Sequence, residues 1–372
     1  MLFSKFLKFD WTLLVVISLL LAVGLLALYS ISVADTGGAT SIFLKQITFA
    51  ILGIIIMIFF ASFNYHYLRS YSTTIYFVTL FILVLVLIWG SVVRGTSGWI
   101  EIGAFHIQPV EIAKLALIIF LASFISQKKS QLGGAVRLTA SFILTVIMIF
   151  LVMKQPDVGS ALILLGIWLG MMLMSGINKK HLFFLILIGA ILVSASWFFL
   201  ADYQKDRILN VVSPETDPKG SGYNVIQSMV SVGSGGIMGK GIGHGSQSQL
   251  NFLPEKHTDF IFAVIAEESG FLGSTFVLIL YAILFYRIKK IAEFAEDNFS
   301  YLLASGILIM FSLQIFINIG MNIGIVPVAG IPLPFLSYGG SSLVTSFISL
   351  GILLNIYRRK KSILKSQVTH SY

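Results

Sequence analysis

Phe252-Leu253-Pro254-Glu255-Lys256-His257-Thr258-Asp259-Phe260 closes a polar, glycine-rich segment that opens at Asp202 and is stranded between long apolar runs. That contrast decides the fold. Of 372 residues, 57% are hydrophobic and only 11% charged, and a mean hydropathy of +0.93 does not describe a water-soluble globule of this length. The chain reads as an all-α polytopic membrane protein. A hydrocarbon core roughly 30 Å thick needs about 20 apolar residues per helix. Candidate spans lie near residues 11–32, 44–62, 73–91, 109–126, 138–153, 159–176, 182–201, 260–285, 300–320 and 341–357. About ten transmembrane helices are therefore expected, in a single membrane domain covering 1–372, with one large extracytoplasmic loop over about 202–259. The first run is too long for the core of a cleavable signal and no small-residue cleavage site follows it, so it reads as an anchor.

Ten spans place both termini on one side, and the distribution of Lys and Arg says which. Sixteen of the 25 fall on the terminal side, among them Arg69, Lys128, Lys129, Arg137, Arg287, Arg358 and Arg359. By the positive-inside rule that side is cytoplasmic. Most acids, including Glu101, Asp157, Glu255 and Asp259, fall on the other. The net charge of +9 is thus a topology signal. It argues against a nucleic-acid partner, because the basic residues are divided among short loops and form no patch with interleaved aromatics. With no cysteine, disulfides, thiolate metal sites and cysteine nucleophiles are excluded together.

Several polar residues sit where the membrane makes them costly. A charge at a helix centre costs about 2.5–3.5 kcal/mol on insertion scales, so such residues face a cavity or a partner. Glu111 and Lys114, in Gln108-Pro109-Val110-Glu111-Ile112-Ala113-Lys114, share one helix face, either as an ion pair that locks helices together or as one wall of a substrate cavity. Asp157, in Lys154-Gln155-Pro156-Asp157-Val158-Gly159-Ser160, reads as the N-cap of the helix that follows. Glu267 and Glu268, two turns into the eighth span, require a partner for at least one carboxylate and suit the same cavity.

The run Gly233-Ser234-Gly235-Gly236-Ile237-Met238-Gly239-Lys240-Gly241 fails as a phosphate-binding P-loop. Ser234 stands where that motif needs glycine, and Gly241 where it needs Ser or Thr. What remains is a backbone free to approach a ligand, with Lys240 as a point charge for phosphate. Pro327, Pro332 and Pro334 with Gly330, Gly339 and Gly340 interrupt the helical pattern in a stretch too apolar for a solvated loop. A re-entrant segment fits, since non-helical backbone at membrane depth must be buried in protein or line a cavity.

At these motifs the chain resembles the SEDS family (shape, elongation, division and sporulation), the multispanning polymerases of bacterial peptidoglycan. The resemblance spans nearly the whole chain. It is carried by Gln108 to Lys114, Gln155 to Ser160, Tyr223 to Gly245, Phe252 to Ala263 with Glu267-Glu268-Ser269-Gly270, and Ile331-Pro332-Leu333-Pro334-Phe335-Leu336-Ser337-Tyr338-Gly339-Gly340-Ser341. Within the family, Gly233 to Gly236, Gly239-Lys240-Gly241 and Ser246 to Leu250 are more similar to the elongation branch than to the division or sporulation branches. Two positions depart from the pattern: Gly98 precedes Trp99 where relatives often carry a basic residue, and Ala329 replaces the usual Thr before Gly330.

The resemblance implies transfer of a disaccharide-pentapeptide from one undecaprenyl-diphosphate carrier, lipid II, to the 4-hydroxyl of another or of a growing glycan, at the bacterial cytoplasmic membrane. An inverting transfer to a hydroxyl needs one base, and a diphosphate departs without a general acid if cations neutralise it. Asp259 matches the family's essential carboxylate, and part desolvation at the membrane edge would strengthen it as a base. His257 is the rival base, ionisable near neutrality. Candidate diphosphate clamps are Arg94, Lys114, Lys154, Arg207, Lys240 and Lys256. Glu111 and Glu268 complete the substrate-binding set, and Gln155, Asp157, Ser337 and Tyr338 shape the cavity. A divalent cation, Mg or Mn, is compatible with diphosphate chemistry, but no ligand set is readable from sequence. No nucleotide and no organic cofactor is expected. With no transpeptidase domain in the chain, the family's partner is a class B penicillin-binding protein, beside other membrane proteins of the elongation machinery. The alternative functions are a flippase for lipid II, since broken helices and buried charges also mark transport paths, and a scaffold without catalysis.

Overall fold

The computed structural model describes residues 10–34, 39–93, 96–103, 105–127, 134–176, scattered positions between 180 and 189, and 221–369. In chain order the helices begin with α1 (Trp11–Ala34), α2 (Ala39–Ser62), the single turn α3 (His66–Ser70) and α4 (Ser72–Trp89). Three short strands follow, β1 (Ser91–Val93), β2 (Thr96–Ile102) and β3 (Phe105–Ile107), then α5 (Pro109–Ser126), α6 (Gly134–Lys154) and α7 (Val158–Met174). The described chain resumes with α8 (Ser221–Ser234), α9 (Ser246–Gln249), α10 (Ile261–Glu293), α11 (Asn298–Asn322) and α12 (Gly340–Thr369). Eight of these are long and apolar enough to cross a membrane, and α7 is a shorter apolar helix. They match nine of the expected spans; the span expected over 182–201 lies outside the described residues apart from a few positions.

Local chemistry sets the boundaries. Pro109 occupies the first turn of α5, where its missing N–H costs no intrahelical bond. Asp157 caps α7 by accepting from the Ser160 N–H at 2.9 Å, and Asp297 caps α11 through the Ser300 N–H at 2.9 Å. α5 is the central helix. It is buried on nearly every side, between α4, α7, α11 and α12. α12 lies along α2, and α10 runs between α1 and α11. Lipid-facing positions stay apolar, as Ile55, Phe59, Phe81 and Phe276 do.

One end of the bundle gathers the irregular structure. β1, β2 and β3 form a small antiparallel meander between α4 and α5, with Ile100 opposite Ile107 and Glu101 opposite His106. The sequence reading had no strand here, because runs of three to seven residues give no resolvable alternation. Between α11 and α12 the chain is non-helical from Ile323 to Gly339, with Ile331, Leu333, Phe335, Leu336 and Ser337 buried. This is the expected re-entrant segment, and protein rather than lipid surrounds it. Its carbonyls are claimed: Tyr281 Oη donates to the Pro334 oxygen at 2.7 Å, and Gln46 Nε2 to the Ser337 oxygen at 3.0 Å. α7 approaches it so closely that a Cβ on Gly159 would lie 2.1 Å from the Ala329 oxygen. Only glycine fits there.

The opposite end is tied by ion pairs. Arg287 of α10 holds Asp10 through two nitrogens, and Arg69 reaches Asp297 at 3.5 Å.

Candidate active site

Asp259 stands in a tight turn just before α10. The N–H groups of Thr258, Asp259 and Phe260 all converge on the Glu255 carbonyl at 3.1 to 3.4 Å. The turn is welded to the re-entrant segment: Tyr338 N donates to the His257 oxygen at 2.8 Å, and Ser337 Oγ donates to the Thr258 oxygen while accepting from Leu333 N at 2.8 Å. From α11, Asn318 Nδ2 and Asn322 Nδ2 each donate to the Asp259 carbonyl at 3.0 Å. The side chain of the half-buried Asp259 faces the bend at Gly330, where a Cβ would lie 3.8 Å from Oδ2. Gly330 takes φ +65, a left-handed conformation that glycine adopts without penalty.

The contacts continue from this bend. Ala329 abuts Gly159 on α7, and Asp157 at the head of that helix accepts from Gln108 Nε2 at 3.4 Å. Gln108 N in turn donates to Ser341 Oγ at 2.8 Å, closing onto α12. Gln155 is buried and donates to the Leu83 oxygen at 3.2 Å. A Cβ on Gly98 of β2 would lie 2.8 Å from Gln155 Oε1, so a side chain there would have to displace the end of Gln155.

Glu111 and Lys114 are both buried, and Lys114 Nζ donates to Glu111 Oε1 at 2.7 Å. The pair exists as the spacing predicts. Lys114 is fully buried and turned toward its partner, which fits a lock between helices better than an open phosphate clamp. Lys256 differs more from expectation. Its ammonium is buried and donates to the Ser248 oxygen at 2.7 Å and Asn251 Oδ1 at 2.5 Å, so it ties the loop to itself rather than reaching toward a ligand. Lys154 is exposed and lies 5.5 Å over the Phe150 ring. Arg94 and Arg207 lie outside the described residues.

The glycine-rich loop is a second polar assembly at the same end. Lys240 Nζ donates to Glu267 Oε1 and to Ser246 Oγ, each at 2.8 Å. The same carboxylate accepts the N–H groups of Gln247 at 2.9 Å and Ser248 at 3.1 Å, which fixes the head of α9. Beside it, Glu268 is buried and accepts from Ser30 Oγ of α1, from Gly243 N at 3.2 Å and from Gln249 Nε2 at 3.2 Å. The loop main chain pairs with α10 where Gly270 interrupts it at φ 65, ψ −160: Phe271 N reaches the Gly236 oxygen at 2.8 Å. Sequence reasoning anticipated a loop that approaches a ligand. The structure shows it approaching α10, so closely that a Cβ on Gly239 would lie 2.1 Å from the Glu268 oxygen.

Asn318, Asn322, Ser30 and Gln46 were not singled out from sequence. A signal existed for the two asparagines, four residues apart on one face of an apolar helix. Among the described residues, no three His, Asp or Glu side chains come together as metal ligands.

A polytopic helical membrane protein with a re-entrant segment clasping an aspartate turn is the class these observations define. Residues 10–362 match the FtsW/RodA/SpoVE family model, described as cell cycle protein. The chain is 41% identical to the stage V sporulation protein E of Bacillus subtilis over 356 residues, 94% of this chain and 97% of the relative. It is 36% identical to the peptidoglycan glycosyltransferase MrdB of Escherichia coli over 361 residues, 96% and 95% of the two chains. A structure described as the coordination of polymerization and crosslinking by a peptidoglycan synthase complex superposes with TM-score 0.80 at 29% identity, covering 95% of this chain and 98% of that one. The crystal structure of RodA from Thermus thermophilus gives TM-score 0.71 at 26% identity, covering 95% and 97%. The chain belongs to the FtsW/RodA/SpoVE (SEDS) family of peptidoglycan glycosyltransferases. Its relatives carry the names of all three branches of the family: stage V sporulation protein E, RodA and FtsW.

Proposed function

We propose that this chain polymerises lipid II into glycan strands at the outer face of the cytoplasmic membrane, during cell elongation, with Asp259 as the general base. The observation that carries the reading is the Asp259 turn, held from α11 and from the re-entrant segment so that its carboxylate faces the Gly330 bend. In the reaction, Asp259 takes the proton of the acceptor 4-hydroxyl as that oxygen bonds to the donor's anomeric carbon. The carbon's bond to the diphosphate breaks, and its electron pair leaves with undecaprenyl diphosphate, inverting the centre. The emerging charge needs cations. Lys240, whose side chain keeps 29% exposure, is the candidate among the described residues, and Arg94 and Arg207 are the candidates outside them.

The elongation role rests on the resemblance of the Gly233–Leu250 loop to that branch. A class B penicillin-binding protein is the transpeptidase partner, and both termini are cytoplasmic. The decisive experiment is polymerisation of lipid II by the purified full chain, with and without that partner. Product that lengthens only with active protein supports the reading. Transbilayer exchange of lipid II without polymer would replace it with transport. For sidedness, a cysteine at the exposed Met238 should react with an impermeant maleimide in intact spheroplasts, and one at Lys289 only after lysis. The reverse pattern would overturn the orientation. Failure to restore rod shape in cells lacking their elongation polymerase would overturn the branch assignment.

A further inference from the structure

Asn322 of α11 caps the start of α10 from outside that helix. α10 begins at Ile261, so the Ala263 N–H in its first turn has no intrahelical acceptor. Here the Ala263 N–H donates to Asn322 Oδ1 at 3.1 Å, and the Asp259 carbonyl accepts from Asn322 Nδ2 at 3.0 Å. The side-chain amide thus ties the first turn of the helix to the Asp259 turn before it, using a group from a different helix. Helical pairing begins one residue on, where Val264 N reaches the Phe260 oxygen at 3.3 Å.

The amide is itself fixed. Asn322 is fully buried, its second N–H goes to the Asn318 carbonyl at 2.8 Å, and Ser228 Oγ of α8 donates to its main-chain oxygen at 2.9 Å. Asn318 supports the arrangement one turn earlier. Its amide divides between the Asp259 carbonyl at 3.0 Å and the Ile331 carbonyl of the re-entrant segment at 2.8 Å. The two halves of the pocket, the Asp259 turn and the Gly330 bend, are therefore referred to one pair of side chains.

We infer that Asn322, supported by Asn318, is a positioning residue for Asp259: by tying the Asp259 turn to the first turn of α10 it sets where the Asp259 carboxylate stands relative to the Gly330 bend. This rests on the reading of Asp259 as the base. Without the Asn322 amide the Ala263 N–H loses its acceptor and the Asp259 carbonyl keeps only Asn318, so the turn is no longer tied to α10 and the carboxylate shifts with it. Misplacement of a reacting group by about 1 Å costs on the order of 100-fold.

The test uses the full chain with its transpeptidase partner in liposomes and lipid II as substrate. Asn322→Ala is expected to lower kcat about 30- to 100-fold, with KM within threefold and thermal unfolding within a few degrees of wild type. Asn322→Gln, which keeps both amide functions, is expected to recover at least a third of that loss on a logarithmic scale. The discriminating measurement repeats Asn322→Ala in an Asp259→Glu background, where the carboxylate is already displaced by one methylene. If Asn322 acts through Asp259, the further loss there is less than threefold. Equal losses in both backgrounds, or a wild-type kcat for Asn322→Ala, overturns the positioning role while leaving Asp259 as base. High activity in Asp259→Asn overturns the base, and the positioning role with it.

Discussion

Two carboxylates at the same end of this molecule are held in opposite ways. Glu267 is held by its oxygens: Lys240, the N–H groups of Gln247 and Ser248 and the hydroxyl of Ser246 all converge on them. Asp259 is held by its main chain, with Asn318 and Asn322 on its carbonyl and the Glu255 carbonyl on its N–H. A carboxylate whose lone pairs are taken by fixed donors keeps its charge but serves poorly as a proton acceptor. One fixed through its backbone has its position set independently of what its oxygens meet. The two carboxylates therefore differ in what fixes them, the side chain in one and the main chain in the other.

The largest effect that bears on this contrast is expected at Asp259. Asp259→Asn preserves size and leaves every main-chain hydrogen bond in place, so protein should insert and unfold as wild type. Lipid II polymerisation should fall about 100- to 10,000-fold, the usual worth of a general base. Rates within tenfold of wild type would erase the distinction between the two carboxylates. His257→Gln serves as the comparison and should keep most activity.

Glu111 and Lys114 provide a third arrangement, a carboxylate held by one buried cation. Removing either partner of a buried pair typically costs about 3–5 kcal/mol, so Lys114→Ala should be recovered in low yield. The exchange Glu111→Lys with Lys114→Glu should restore yield, because the i, i+3 geometry accommodates the pair in either order. Polymerisation by the exchanged protein then decides the rest. Near-normal rates are expected from a helix lock, and stable but inactive protein would return Lys114 to the diphosphate.

How far this could be read from the chain depends on the distance over which each interaction acts. The spans follow from apolar runs against a fixed membrane thickness, and the Asp157 cap and the Glu111–Lys114 pair follow from three-residue spacings. The re-entrant segment followed from proline and glycine in an apolar context. Long-range partners were beyond reach. Asn318 and Asn322 announce themselves as polar groups in lipid, but nothing local says that their acceptor lies 59 and 63 positions earlier. Lys256 shows the converse case. A lysine one residue from a histidine and three from the aspartate reads as a ligand-binding cation, yet the short span back to Ser248 and Asn251 lets it fold onto its own loop.

The smallest effects are expected in the glycine-rich loop, where they discriminate between support and substrate binding. Glu267→Gln keeps an acceptor oxygen for only one of the Gln247 and Ser248 N–H groups, which bond different carboxylate oxygens, and loses the charge facing Lys240; hydrogen bonds to charged groups contribute about 1.5–3 kcal/mol each. Thermal unfolding should shift down by several degrees, with activity per folded molecule largely kept. Lys240→Ala removes a partly exposed cation while the backbone donors and Ser246 remain on Glu267, so its cost in stability should stay within about 1 kcal/mol. The informative number is then kcat with lipid II. If Lys240 only braces Glu267, KM and kcat stay near wild type. If it also neutralises the departing diphosphate, kcat falls several-fold at unchanged stability, and Lys240→Arg, which keeps the charge, recovers most of it. That second outcome would make the loop part of the chemistry and narrow the contrast to Glu267 alone.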